Sequence, residues 1–279
     1  FANKVGYSKH RPALPLYTEA DADACLDLLH PIGFEEPTQI TDDVCVTLRP
    51  AGHILGSSTI TVELLPQRRS VLFSGDLGRP THPLLLPPAP PGSPDVVVME
   101  STYGGRSHDD ADAVNRLADA ISRTARRGGT VLIPAFAVDR TEVLLHHLRR
   151  LMCRGRIPQL PVYADSPMAL RALQTYRKAV AEGAPDLQPS LRLEPDPFDT
   201  GQLHEVHDVE GSKGLANLAH PSIIVSASGM ATGGRVLHHL ARLLPDRRNT
   251  VILAGYQAVG TRGRRLADGD RVIKMLGSF

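Results

Sequence analysis

The sequence has no tryptophan, and aromatic residues make up only 4% of its 279 positions. That scarcity leaves little material for a platform of rings on which single-stranded bases stack. Cysteine is equally sparse, since Cys25, Cys45 and Cys153 are odd in number, widely spaced and form no CxxC pair. A disulfide framework and a cysteine zinc site are therefore excluded. No apolar run approaches the roughly 18 to 20 residues of a membrane-spanning helix. No basic-then-apolar leader stands before "FANKVGYSKH" either, so the expected setting is cytoplasmic, with no membrane partner. Excess charge of one sign is also missing: the formal net charge is +1, and any polyanion site has to be local. Arginine greatly outnumbers lysine, which suits bidentate phosphate contacts but also follows from base composition of the gene.

What is present is a hydrophobic content of 42%, enough to fill one large or two ordinary domains. A helix is expected from Thr18, with Glu19, Asp21 and Asp23 favouring its N-terminal dipole. Strand-like runs follow at 44–48, 58–65 and 70–76, the last two separated by a polar "PQRR" turn. The proline-dense stretch 81–95 reads as a loop or crossing between domains, because proline lacks the ladder donor. Beyond it, buried-type strands at 95–100, 129–136, 160–166, 221–228 and 249–256 alternate with helical stretches at about 109–127, 139–153, 167–182 and 233–244. Alternation of this kind predicts a parallel sheet covered on both faces. Ligands of such sheets gather beyond the C-terminal strand ends, where Glu100, Phe136, Asp165 and Ser228 fall.

His53 in "AGHILGSS" and Asp76 in "SGDLGRP" are each bordered by glycine near a strand end. Alone, the first reads as a structural histidine and the second as a turn residue. Together they suit a metal site that the backbone approaches closely. "SASGMATGGR" runs from a strand into a helix; its small residues admit an anion to the backbone amides, with Ser228, Gly229, Met230, Gly233, Gly234 and Arg235 as the contacts. Arg140 in "AFAVDRTE" and Ser166 in "DSPMA" are further phosphate candidates, and Asp139 with Glu142 reads as a capping box. "LHEVHD" has the wrong spacing for a zinc helix and reads as a solvated polar segment. In the pairs His146/His147 and His238/His239 one member is expected to face the core, and His238 to approach the site.

"AGHILGSS", "LFSGDLGRP", "VMESTYGGRSH", "VLIPAFAVDRTEVLL", "VYADSPMA" and "SASGMATGGRVLHHL" with "VILAGYQAVGTRGRRL" occur in this order. The set resembles the metallo-β-lactamase-fold nucleases that carry a β-CASP domain, in particular their prokaryotic RNA-processing branch. The resemblance implies an α/β fold: part of a metallo-β-lactamase αββα sandwich over residues 1–100, then a β-CASP domain with a mainly parallel sheet flanked by helices over 101–279. It implies two zinc ions in the intact protein, with His53 as a zinc ligand and Asp76 as the carboxylate shared by both. Glu100, otherwise a capping or surface acid, becomes the acidic group that opens the β-CASP domain and steadies a histidine near the scissile phosphate. Asp76 and Glu100 are thus the catalytic candidates and RNA the expected partner, with a homodimer as a further expected assembly. The family's HxHxDH string occurs nowhere in the chain. The expectation is therefore a chain truncated at both ends that binds zinc weakly and cleaves little by itself. A DNA-processing nuclease and a non-catalytic RNA-binding scaffold are the alternative readings.

Overall fold

The computed structural model describes residues 12–105, 112–218 and 221–277. Helix α1 (Glu19–Leu26) starts as expected: the Thr18 hydroxyl accepts the Asp21 amide while the Asp21 carboxylate accepts the Thr18 amide.

The first sheet has the order β1 (Thr38–Thr41), β2 (Val44–Pro50), β3 (Ser58–Leu64), β4 (Arg69–Phe73), β5 (Val96–Val98). Strands β1 to β4 are antiparallel neighbours, and β5 lies parallel to β4 with Val98 opposite Phe73. This topology gathers three segments at one end of the sheet. The turn 51–57 closes the β2–β3 hairpin at Pro50 and Ser58, and the same end receives the exits of β4 and β5. His53, Asp76 and Glu100 lie on those segments. The run 95–100, which the apolar pattern groups with the strands of the parallel sheet and the resemblance assigns to the first domain, completes the first sheet, because an apolar run carries no information about its partner.

The second sheet is wholly parallel, in the order β10 (Thr250–Val251), β6 (Val131–Pro134), β9 (Ile223–Ser226), β7 (Val162–Asp165), β8 (Leu203–Glu205). Alternate residues of its strands face opposite cores, as strand geometry demands. Val131, Ile133, Ile223 and Val225 join a core built with α2 (Ala113–Arg126), α3 (Arg140–Cys153) and α4 (Pro167–Glu182). Leu132 and Ile224 join a second core with α6 (Val236–Leu243) and Leu266 of α7 (Arg262–Ala267). The expected sheet with both faces covered is therefore present. The first residues of the helix expected from 109 lie outside the described residues.

Some expectations are corrected. "LHEVHD" is not merely solvated: Leu203–Glu205 is edge strand β8, and short α5 (Val209–Gly214) follows it. The ring of His204 stacks on Tyr163 at 4.9 Å, and Glu205 pairs with Arg177. The strand expected over 249–256 is regular only at Thr250–Val251. Nor is the proline-dense stretch a bare connector. Leu84 and Leu85 are fully buried in the first core, and their backbone is tied by Leu86 N to Asp186 O and Gln188 N to Leu84 O, both at 2.8 Å.

Candidate active site

The turn bearing His53 and the loop bearing Asp76 touch backbone to backbone. Gly78 N donates to Ala51 O at 2.8 Å, and a Cβ on Gly78 would stand 1.6 Å from Gly52 O and 2.6 Å from His53 N. Only glycine allows that crossing. It brings His53 Nε2 to 4.0 Å from Asp76 Oδ2, with both side chains open to solvent, 45% and 78% exposed. Glu100 stands beside them: its carboxylate accepts the Leu77 amide at 3.4 Å and the Thr102 amide at 2.9 Å. Hydrogen bonds from Thr102 and Leu77, together with the nearby His53 imidazole, hold its pKa below the ordinary glutamate value, so it is a carboxylate at neutral pH. His53, Asp76 and Glu100 thus share one surface, with the His53 imidazole and the Asp76 carboxyl group open to solvent. Imidazole and carboxylate are the donors that zinc and related divalent ions accept, so the pair fits one side of a metal centre. Among the described residues no group of three or more His, Cys, Asp and Glu side chains is arranged to hold a metal ion.

Loop 227–235 follows β9 and is braced from below. Gln257 Nε2 donates to Gly229 O, Gly263 N to Met230 O, and Arg262 Nη1 to Thr232 O, at 3.0, 3.0 and 3.2 Å. Ser228 Oγ pairs with Thr232 Oγ1 and accepts its amide. Ala231 (φ 53°) and Gly234 (φ 79°) are in the left-handed region, which lets the chain fold back on itself. A Cβ at Gly233 would meet nothing within 4 Å, so that part of the loop is open to an incoming group.

Arg235 is turned elsewhere. Its guanidinium bonds Asp165 Oδ1 at 2.7 Å and the carbonyls of Val206 and His207, an anchor for the loop in place of the expected phosphate contact. Fully buried Asp165 also accepts from His239 Nε2 at 2.7 Å and Ser212 Oγ at 2.6 Å. These bonds, His239 first, outweigh burial and hold its pKa low. His239, not His238, is the core-facing member of its pair, and His238 is exposed. Ser166 is buried as the N-cap of α4, its hydroxyl accepting the Ala169 amide. Arg140 is the first residue of α3 and is half-buried.

The capping box expected of Asp139 and Glu142 is absent. Asp139 has φ 68° and makes no capping bond; its carboxylate accepts from Tyr176 at 2.9 Å and from His82 Nε2 at 3.2 Å. His82 Nδ1 accepts the Leu84 and Leu85 amides, which fixes the proton on Nε2. The Tyr176 hydroxyl also accepts the Leu55 amide at 3.0 Å, and Asp186 accepts the Gly56 amide at 2.8 Å. The His53 turn is therefore held by two side chains more than a hundred positions later in sequence. Glu142 is fully buried; desolvation, reinforced by the Asp139 charge, pushes its pKa up to about 8. No periodicity or spacing marks the side-chain pairs His82–Asp139 and Asp139–Tyr176, whose members are distant in sequence.

A hairpin turn and two parallel strand exits thus gather His53, Asp76 and Glu100 at one end of the first sheet, and the second sheet carries a glycine-rich loop beyond β9. Residues 141–266 match the Beta-Casp domain. It is 33% identical over 265 residues to a ribonuclease of Thermus thermophilus, covering 94% of this chain and 60% of that protein. An RNase J-like protein of Methanocaldococcus jannaschii is 32% identical over 264 residues, covering 92% and 60%. Transcription termination factor FttA of Methanothermobacter thermautotrophicus is 34% identical over 253 residues, covering 88% and 39%. The chain thus spans about 60% of the length of the first two relatives.

Proposed function

We propose that the protein serves metal-dependent hydrolysis of RNA phosphodiester bonds, with residues 1–100 contributing part of a lactamase-like domain and 101–279 the β-CASP domain. The observation that carries this reading is the convergence of His53 Nε2 and Asp76 Oδ2 at 4.0 Å beside Glu100. Relatives named as a ribonuclease and as RNase J-like support RNA as the substrate class. His53 and Asp76 would hold zinc. Bound zinc would supply Lewis acidity to the phosphoryl oxygens and a hydroxide at neutral pH. Glu100, kept ionised by Thr102 and Leu77, accepts a proton donor's N–H and steadies it toward the leaving oxygen. The open side of loop 227–235, at Ser228, Met230, Gly233 and Gly234, meets backbone phosphates without reading sequence, whereas the expected contact Gly229 is buried against Phe136. Arg140 and Ser166 stand at the neighbouring strand ends, and Arg235 fixes the loop from within.

Single-stranded RNA and DNA of one sequence, each incubated with the protein with and without zinc, test the reading. Two donors do not close a four-ligand zinc site, so weak zinc binding and slow turnover are expected of these 279 residues, with RNA binding as the first readout. Zinc-dependent RNA cleavage that Asp76→Asn removes supports the proposal. Equal handling of DNA would point to a DNA-processing enzyme, and RNA binding indifferent to zinc and to Asp76→Asn would point to a scaffold.

A further inference from the structure

Arginine gathers at one place away from the proposed metal centre. Helix α3 connects β6 to the parallel strand β7, so it runs back along the sheet and its last turn lies at the opposite end from loop 227–235. Beside that turn is a pocket of about 310 Å³, walled by Arg149, Arg150 and Arg154 of α3 and its C-cap, by Ser190 and Glu194, and by Pro83 of the proline-dense stretch. Its walls are fixed from outside: Gln188 N donates to Leu84 O and Gln188 Nε2 to Leu85 O, both at 2.8 Å, and Leu191 is buried. Three arginines and one carboxylate share this hollow. Glu194 is taken by Arg149, whereas among the described residues the side chains of Arg150 and Arg154 have no ion pair or hydrogen bond. His146, also in the wall, donates from Nδ1 to Pro197 O at 3.2 Å; burial, aided by the Arg150 charge, keeps its pKa below the ordinary histidine value, so it cancels none of the positive charge.

We propose that this hollow binds the phosphate group of a nucleotide, with Arg150 and Arg154 as its counter-charges and the Ser190 hydroxyl as a further donor. Cations at a helix C-terminus also complement the helix dipole, but that role needs neither a hollow nor three arginines around one. Arg150 and Arg154, four positions apart at the helix end, repel each other. A dianionic group between them removes the repulsion, and the guanidinium fork matches phosphate oxygens. The volume is at the small end of ligand pockets and suits a single nucleotide. The phosphate comes from a free nucleoside monophosphate or from one nucleotide of an RNA strand, and the pocket does not depend on the RNA reading of the His53 site.

Cys153 lines the same pocket and is exposed, Cys25 is exposed on α1 outside it, and Cys45 is buried. The test is the rate at which iodoacetamide alkylates Cys153 and Cys25, read by peptide mass spectrometry at constant ionic strength with inorganic phosphate, uridine 5′-monophosphate, an oligouridylate or citrate. A phosphate ligand is expected to slow Cys153 several-fold and to leave Cys25 unchanged. Arg150→Ala and Arg154→Ala should each raise the protecting concentration about tenfold, the loss of one charge-assisted contact, with Arg150→Lys between them and the native chain. Circular dichroism shows whether the variants are folded, and the native chain alone decides the first comparison. Protection by the monophosphate assigns a free nucleotide, and protection by the oligouridylate alone assigns an RNA strand; either supports the pocket. Alkylation of Cys153 that no phosphate ligand slows overturns the proposal. So does protection by citrate equal to that by phosphate ligands, or protection by folded variants equal to that of the native chain. None of these failures touches zinc-dependent RNA cleavage, so the proposed function is judged separately.

Discussion

At the scale of single residues, Gly78 decides whether the site exists. Gly78→Ala would drive a methyl group into Gly52 O and force the His53 and Asp76 loops apart. The expected cost is about 1–3 kcal/mol, with loss of metal affinity, read by urea unfolding and by metal titration. Glu142 supplies a pH prediction. With its pKa pushed up to about 8 by burial, the carboxyl is neutral in the folded protein, while in the unfolded chain it ionises near 4.3. Its contribution to stability is fully present below about pH 4.3 and is lost as pH rises toward 8, by at most ~1.4 kcal/mol per unit. Glu142→Gln should flatten that slope and stabilise the protein at neutral and alkaline pH, as unfolding curves at about pH 5, 7 and 8.5 would show. His53 and Asp76 are legible in the sequence because their glycine borders demand close backbone approach. Asp139 is misleading there, since "DRTE" has the capping pattern while its carboxylate serves His82 and Tyr176.

Among the elements, the glycine-rich loop is positioned from beneath, by Asp165 at the end of β7. Asp165→Ala would take the acceptor from His239 Nε2 and leave the Arg235 guanidinium with only the Val206 and His207 carbonyls, in a largely buried place. Breaking such a pairing costs about 3–5 kcal/mol, and hydrogen exchange should rise across 227–239. Asp165→Asn keeps the shape and some hydrogen bonds, so its effect should be smaller. Long strands and helices of the second sheet are legible because apolar runs and helical periodicity are local signals: β6, β7, β9, α3 and α4 fall where the pattern puts them. The polar edge strand β8 is not, since its order comes from Tyr163 and Arg177; β5 falls within the strand expected at 95–100, but its partner β4 is not marked there. Pairing partners are long-range facts that no window of sequence contains.

For the whole molecule, the two sheets communicate through the seam that carries the His53 turn. Tyr176 and Asp186 hold the amides of Leu55 and Gly56, while the proline-dense stretch is buried alongside. Tyr176→Phe removes one hydroxyl from a buried pair of bonds and should cost about 1–3 kcal/mol. Faster amide exchange at Leu55 and Gly56 is expected with little change in the second sheet, which would show the turn to be tethered from the β-CASP side. The most direct measurement of the central claim is line broadening of amide and imidazole NMR signals on titration with Co²⁺, a paramagnetic stand-in for zinc that reports even weak occupancy. The account predicts that signals of His53, Asp76, Leu77, Gly78 and Thr102 broaden first and that Asp76→Ala abolishes the effect. Broadening centred on another part of the surface, with the His53 signals unchanged, would contradict it.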